Sequence, residues 1–356
     1  MRGSLAKTFM EGSVMASILK ARLLRREYPA VLHINITHKC DLKCKHCYGS
    51  YPARRSNPDL PPSEWIKIAR EARGMGVRII NLAGGEPLMY RGIGEVIDAM
   101  TDMGIAVHMN TNGDLFAKKA DEVKNLASIC FSIDGDRETH DAYRGKGQFD
   151  RVINGIKLAK RMGYKVHINT TILGSNVHTV VYVMELAWYL GIGVEFLLNF
   201  MQTPEDAIGT DWDLRGALLK IITAQKAGYP VFTSPKSLIH ALQWPDYKKR
   251  TGDLNDCKRI DPRMRCVAGR FIFILDADST AYPCAQWMGH YPGALKVTEH
   301  GLEKAYLATR REEMCQTCYA STSFNDYALL SRFHAGTVWH HAKQALKGIM
   351  PHRRTP

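Results

Sequence analysis

From Val31 onward, short apolar runs alternate with longer segments whose apolar residues recur every three or four positions. Short apolar runs bounded by glycine, proline or polar clusters predict buried strands, and the longer period predicts helices with one buried face. On this pattern, strands fall at 31–36, 77–82, 106–109, 127–133, 166–172 and 194–198. Helices fall between them, at about 61–74, 93–103, 118–125, 149–162 and 177–190. Gly74, Gly104, Gly163 and Gly191 stand where four of these helices should stop. Pro61-Pro62-Ser63 opens the first helix, with Ser63 the expected cap. Six strand–helix units in a row predict a parallel sheet covered by helices. Six are too few for a closed eight-stranded barrel. The expected fold class is therefore α/β, an open (βα)6 partial barrel of parallel strands.

The pattern changes beyond residue 200. Helices are predicted at 214–227 and 237–243, and two short strands flank the turn Asp276-Ala277-Asp278-Ser279 as a hairpin. A helix over 337–346 follows, and its adjacent His340 and His341 cannot share one helix face as a metal pair. Before the first strand, 14–26 reads as a basic amphipathic helix ended by Tyr28-Pro29. The expected division is a helix at 1–30, a six-unit core at 31–200 and a helical linker at 201–256. A small cysteine-rich α+β extension at 257–330 and a basic helix and tail at 331–356 complete it.

Cysteine placement changes the picture from fold to chemistry. Cys40, Cys44 and Cys47 fall just past the first strand, in Cys40-Asp-Leu-Lys-Cys44-Lys-His-Cys47-Tyr48. A structural zinc site wants four ligands, and so does an ordinary iron–sulfur cluster. Three thiols either leave one position open for a ligand or recruit His38 or His46 as the fourth ligand of a zinc knuckle. A second set lies in the extension: Cys266 and Cys284 flank the predicted hairpin, and Cys315-Gln-Thr-Cys318 adds a close pair. Four thiolates form a complete cage for zinc or for iron–sulfur, and spacing does not choose between them. Cys257, nine residues before Cys266, is an alternative ligand. Cys130 lies inside a predicted strand and reads as a small buried hydrophobe.

CxxxCxxC followed by an aromatic residue, placed after a first strand, resembles the cluster loop of the radical S-adenosylmethionine (SAM) enzymes. Other strand ends keep the resemblance in register: Gly84-Gly85-Glu86-Pro87 after the second, Asn110 after the third, Ser132-Ile-Asp134-Gly135 after the fourth and Asn169 in the fifth. The resemblance covers 31–200. It implies that Cys40, Cys44 and Cys47 hold a 4Fe–4S cluster whose open iron chelates SAM, and that an electron releases a 5′-deoxyadenosyl radical. It also implies that Gly84, Gly85, Glu86, Asn110, Ser132, Asp134 and Asn169 seat SAM. Cys266-Val-Ala-Gly269, an apolar strand, a turn and Tyr282-Pro-Cys284 resemble the SPASM extension or its shorter twitch form. No cysteine follows Cys318, so the resemblance implies one auxiliary 4Fe–4S cluster, held by Cys266, Cys284, Cys315 and Cys318 and serving electron transfer. Relatives with this extension act on ribosomal peptides, sugars and cofactor precursors. No hydrogen-abstracting or acid–base residue is assigned.

Composition narrows the partners. Apolar residues at 45% and charged residues at 23% are ordinary for a soluble globular chain. No apolar run reaches the length of a transmembrane helix and no secretory signal is evident, so the expectation is cytoplasmic. Nine cysteines in such a chain read as metal ligands rather than a disulfide framework. The net charge of +13 is concentrated at the ends, with +4 in residues 1–30 and +5 in 331–356. Those ends suit a peripheral contact with anionic lipid. The expected partners are a small-molecule or lipid substrate and an electron donor such as flavodoxin or ferredoxin. Basic and aromatic residues do not interleave on one element, so nucleic acid is not expected. Two alternatives stand beside this reading: a maturase of ribosomal peptides, and a non-enzymatic two-zinc nucleic-acid binder.

Overall fold

The computed structural model describes residues 29–47, 58–198, 211–247, 249, 251–310, 315–319, 322–331 and 334–347. The expected helix at 14–26 and the tail beyond 347 lie outside the described residues. The chain forms two compact units. The first comprises Met1–Phe131, Arg151–Tyr164 and Val267–Glu312; the second comprises Ser132–Asp150, Lys165–Cys266 and Glu313–Pro356.

In the first unit, β1 (Val31–Thr37), β2 (Ile79–Gly84), β3 (Ala106–Thr111) and β4 (Ser128–Ser132) lie side by side in chain order. Each neighbouring pair is parallel, with Val31 opposite Ile79, Ile79 opposite Ala106 and His108 opposite Ser128. Leu32, Ile34 and Ile36 of β1 point to one face and are fully buried, as are Ile80 and Leu82 of β2 and Val107 of β3. Strand alternation puts them on the face that packs a core. Trp65, Ile68, Ala69 and Ala72 of helix Pro62–Met75, and Val96, Ile97 and Met100 of helix Ile93–Asp102, complete that core. Burying Trp65 or Ile68 contributes roughly 1.5–3 kcal/mol each relative to exposure.

Helix Pro62–Met75 is not capped by Ser63. Pro61 occupies the cap position in extended geometry without a side-chain bond, and Pro62 is the first helical residue. Pro62 fixes the helical φ and lacks an N–H that would otherwise go unpaired there, and it holds Pro61 extended, so no hydroxyl is needed.

The hairpin forms as expected, from β8 (Ile272–Leu275) and β9 (Thr280–Tyr282), with Leu275 opposite Ala281. It is not confined to a separate extension. β8 pairs in parallel with β1, Val31 opposite Ile272, and β10 (Leu295–Lys296) continues beyond β9. All four residues of β8 are buried, which suits a strand covered on both faces.

The second unit carries β5 (Val166–Ile172) and β6 (Gly193–Leu198), paired in parallel with Ile168 opposite Val194. It also holds β7 (Thr251–Gly252) antiparallel to β11 (Thr317–Cys318). Helix Arg137–Arg144 was not expected. Its composition is too polar for an apolar period, yet Asp136 caps it by accepting from the Thr139 N–H at 2.9 Å. Helices Leu254–Ile260, Leu302–Ala308 and Thr322–Ser331 also escaped the pattern. The fold is thus α/β with a mostly parallel, open sheet, and among the described residues no strand pairing closes it into a barrel.

Candidate active site

β1 ends at Thr37 and runs directly into the cysteine loop. Cys40, Cys44 and Cys47 are all partly exposed there, and none of the chain's cysteines is in a disulfide. A turn closes the loop, the Cys47 N–H donating to the Cys44 carbonyl at 3.2 Å. Burial pushes the Cys40 thiol up to about 12, the Leu42 N–H pulls it back, and the Asp41 and Glu86 carboxylates push it further up. Among the described residues no three His, Cys, Asp or Glu side chains converge on a point that would hold a single ion. An iron–sulfur cluster sets each thiolate on its own iron, so three thiols spread along one loop suit its donor chemistry.

Gly84 and Gly85 serve this loop directly. Gly84 has φ +125°, and a β-carbon on it would stand 2.4 Å from the Thr37 carbonyl oxygen. A β-carbon on Gly85 would stand 2.0 Å from the Lys39 carbonyl oxygen. The close approach that the glycines permit is therefore to the backbone of the cysteine loop. The Gly85 N–H donates to Thr37 O at 2.7 Å and the Glu86 N–H to Lys39 O at 2.8 Å. The GGEP turn and the cysteine loop are bound together by main chain.

Glu86 follows, fully buried. Its carboxylate accepts from the Leu88 N–H at 3.1 Å, the Thr111 hydroxyl at 2.8 Å and the Asn112 N–H at 2.8 Å. Burial nevertheless dominates and raises its pKa to about 7, against those three donors. Asn112 then reaches the loop itself. Its amide donates to Asp41 Oδ1 at 2.7 Å and lies 4.0 Å from Cys40 Sγ. Sequence reasoning singled out Asn110, which stands within β3, and missed Asn112 just beyond the strand end. The signal was present, because the strand's exit and not its last rows faces the loop.

A second contact that sequence reasoning missed comes from the far end of the chain. Asp276, buried at the end of β8, accepts from Asn35 Nδ2 at 3.2 Å and pairs with His38 Nε2 at 2.9 Å. It stays below the ordinary carboxylate range because His38 and Asn35 outweigh its burial. His38 is thus engaged beside the loop.

The remaining expected SAM-seating residues lie in the second unit. Ser132 ends β4 and is partly exposed. Asp134 is fully buried, with Oδ2 accepting from Arg144 Nε at 2.6 Å and Oδ1 from the Thr171 N–H at 3.1 Å. Both oxygens are held by the protein, so Asp134 fixes the turn after β4. Asn169, within β5, has a buried Oδ1 with no hydrogen-bond partner among the described residues. A buried amide oxygen in that state suits a ligand donor.

Three of the four extension cysteines also belong to the second unit. The Cys266 N–H donates to Gln316 O at 2.7 Å, which brings Cys266 beside the Cys315–Cys318 segment. Cys318 lies in β11 opposite Thr251. Cys284 belongs to the first unit, at the start of the turn Ala285–Trp287. Cys257 is buried on helix Leu254–Ile260, its thiol 3.7 Å from Asp261 O. Cys130 is buried within β4.

Comparison with known proteins gives the family and the fold that this chain resembles. Residues 34–187 match the family model of the radical SAM superfamily. The AdoMet-dependent heme synthase of Methanosarcina barkeri is 33% identical over 168 residues, 46% of this chain and 48% of that protein. A GTP 3′,8-cyclase of Campylobacter fetus is 29% identical over 58% of this chain and 66% of that protein. The chain spans about half the length of the heme synthase it matches. Among solved structures, Streptococcus suis SuiB bound to S-adenosylmethionine has a TM-score of 0.62 at 19% identity, covering 78% of this chain and 65% of its own. The anSMEcpe structure with bound AdoMet has a TM-score of 0.60 at 14% identity, covering 89% and 98%. These two likenesses are of fold.

Proposed function

Because residues 34–187 are a radical SAM domain, of a superfamily of enzymes that use SAM and a 4Fe–4S cluster, we propose that this chain abstracts hydrogen from a substrate C–H bond in the biosynthetic modification of a small molecule. The observation that carries this is the loop of Cys40, Cys44 and Cys47, held by the main chain of Gly85 and Glu86 and touched by Asn112. When bound, the cluster and SAM would supply one-electron reductive cleavage of a C–S bond of SAM, and with it a radical able to take a hydrogen atom from a substrate. The protein holds and orients the reactants. Cys40, Cys44 and Cys47 would hold the cluster. Glu86 is buried and able to ionise near neutrality, and a ligand's ammonium group close to it would stabilise its charged form. Gly84 and Gly85 set the loop, and Asn110, Ser132, Asp134 and Asn169 line or shape the seat.

Cys266, Cys284, Cys315 and Cys318 would be the ligands of an auxiliary 4Fe–4S cluster, which would supply electron transfer. The backbone bond that sets Cys266 beside Gln316 supports the second-unit part of this set. A flavodoxin or ferredoxin supplies the electron. The relatives named for heme synthesis and GTP cyclisation favour a cofactor precursor or similar small molecule over a lipid.

The test is anaerobic purification, with iron, sulfide and zinc counted per chain, followed by an assay for 5′-deoxyadenosine release from SAM. About eight irons with eight sulfides are expected, as for two four-iron clusters. About four irons and one zinc would make the extension site structural. Zinc without iron after reconstitution, and no SAM cleavage, would overturn the reading.

A further inference from the structure

Cys40, Cys44 and Cys47 stand, in sequence, between two residues that are hydrogen-bonded to each other. Thr37, the last residue of β1, is fully buried, and its hydroxyl donates to Asp59 Oδ1 at 2.6 Å. Lys39 Nζ donates to the other carboxylate oxygen, Oδ2, at 2.8 Å. Asp59 thus turns both oxygens to the chain that leads into the cysteines, 22 and 20 residues earlier in sequence. The Thr37 hydroxyl, with its proton committed to Asp59, accepts the Lys39 N–H at 3.0 Å through a lone pair. Those two bonds set the direction of the backbone from Thr37 to Lys39, the residue before Cys40.

Asp59 stands on a firm base. It lies just before helix Pro62–Met75, where Pro61 and Pro62 restrict the backbone. The Pro62 ring packs on Gly92, where a β-carbon would stand 2.7 Å from it. The buried Tyr90 donates its hydroxyl to Leu60 O at 2.7 Å. Tyr90 also follows closely on Glu86, whose N–H donates to the Lys39 carbonyl. The segment from Glu86 to Tyr90 therefore holds the cysteine loop at Lys39 and the base of Asp59 at Leu60. Asp59 joins those two and completes a ring of contacts inside the first unit. Its two arms are unequal. The Lys39 side chain is 48% exposed, and an ion pair open to water contributes little. The Thr37 hydroxyl is buried, so losing its acceptor is costly.

We propose that Asp59 is a positioning residue for the cysteine loop: through the Thr37 hydroxyl it fixes the course of the chain into Cys40 relative to Glu86, and so sets how well SAM meets both. It acts as a hydrogen-bond acceptor and not as a charge. A ligand that must engage a group held by the loop and a carboxylate held by the next strand end is sensitive to the offset between them, and a misplacement of about 1 Å is enough to weaken it. That the loop carries a cluster and receives SAM rests on the function proposed above; the contact of Asp59 with Thr37 does not need either.

The experiment uses the full-length protein, reconstituted with iron and sulfide without oxygen. SAM is titrated against the reduced protein, and the change in its electron paramagnetic resonance spectrum is followed. Asp59→Ala should need about tenfold more SAM for half of that change, the effect of one lost hydrogen bond. Asp59→Asn keeps an oxygen for the Thr37 hydroxyl and should stay within about threefold of wild type, as should Lys39→Met, which removes only the exposed arm. An unchanged midpoint in Asp59→Ala, or one in Asp59→Asn displaced as far as in Asp59→Ala, would overturn the proposal. Thr37→Val removes the same bond from its other end and takes the place of Asp59→Ala should that variant fail to fold. Hydrogen exchange on the metal-free full-length chain reads the contact without the cluster. Residues 38–47 should exchange about tenfold faster in Asp59→Ala, with helix Ile93–Asp102 unchanged; equal exchange over 38–47 would overturn the positioning role. Wild-type protein that takes up no iron, yet shows this difference in exchange, would sink the radical reading and leave Asp59 as the residue that positions the loop.

Discussion

Glu86 offers a measurement that reports on the site through protein stability. Its carboxyl is fully buried and its pKa stands at about 7, against about 4.3 for an ordinary glutamate. A raised acid pKa means that the folded state holds the proton more tightly than the unfolded chain. Stability is therefore complete below the unfolded pKa and falls as pH rises, until the folded carboxyl has also ionised. The full displacement corresponds to about 4 kcal/mol, and about 2–3 kcal/mol of it is lost between about pH 5 and pH 8. Glu86→Gln removes the titration. The variant carries a constant cost, because its amide NH2 replaces one acceptor that faces the Asn112 or Leu88 N–H. That cost does not depend on pH. His33 and His240, both depressed by burial to about 4, contribute the opposite slope at acid pH, but equally in both proteins. Urea unfolding of ligand-free protein at several pH values, wild type minus variant, isolates Glu86. The difference should fall with pH by about 2–3 kcal/mol across that interval. Parallel curves would show that three hydrogen bonds overcome burial and that Glu86 is ionised throughout.

Other expectations follow from the same contacts. Gly85→Ala places a β-carbon 2.0 Å from Lys39 O, so the cysteine loop must move, and iron bound per chain should drop by half or more while circular dichroism still reports the fold. Arg144→Ala leaves the fully buried Asp134 carboxylate without its cation and should cost about 3–5 kcal/mol in denaturant unfolding; a loss under about 1 kcal/mol would show that water replaces the guanidinium. Asp276→Ala removes the partner of His38 and Asn35 and should cost about 1–3 kcal/mol, and if it anchors the loop, the electron paramagnetic resonance signal of the reduced cluster should broaden. Cys284→Ser should lower the iron count and Cys257→Ser should leave it unchanged; the reverse would exchange their roles.

Much of the first unit could be read from local pattern. β1 to β4 are short apolar runs interrupted by single polar residues and closed by glycine or by polar clusters, and a short strand with helices on either side has little alternative in an α/β chain. The cysteine loop was equally legible, since its three thiols lie within eight residues. Some elements were hidden because no local signal marks them. Helix Arg137–Arg144 buries only His140 and rests on its Asp136 cap. The pairing of β8 with β1 joins segments some 240 residues apart, and with it the contact of Asp276 with His38. Nothing in the turn Asp276–Ser279 announces that its first residue touches the cysteine loop.

The clearest division lies in the glycines and in the polar rows. By itself the sequence determined that Gly84 and Gly85 had to stand at a strand end where backbone comes close. Only the tertiary structure decided that the neighbour is the Thr37 and Lys39 main chain of the cysteine loop, because a close approach is a relation between segments. His33, Asn81, His108 and Ser128 likewise read as unrelated polar interruptions in four separate strands. Parallel pairing, which fixes register between strands but not within one, turns them into a single surface.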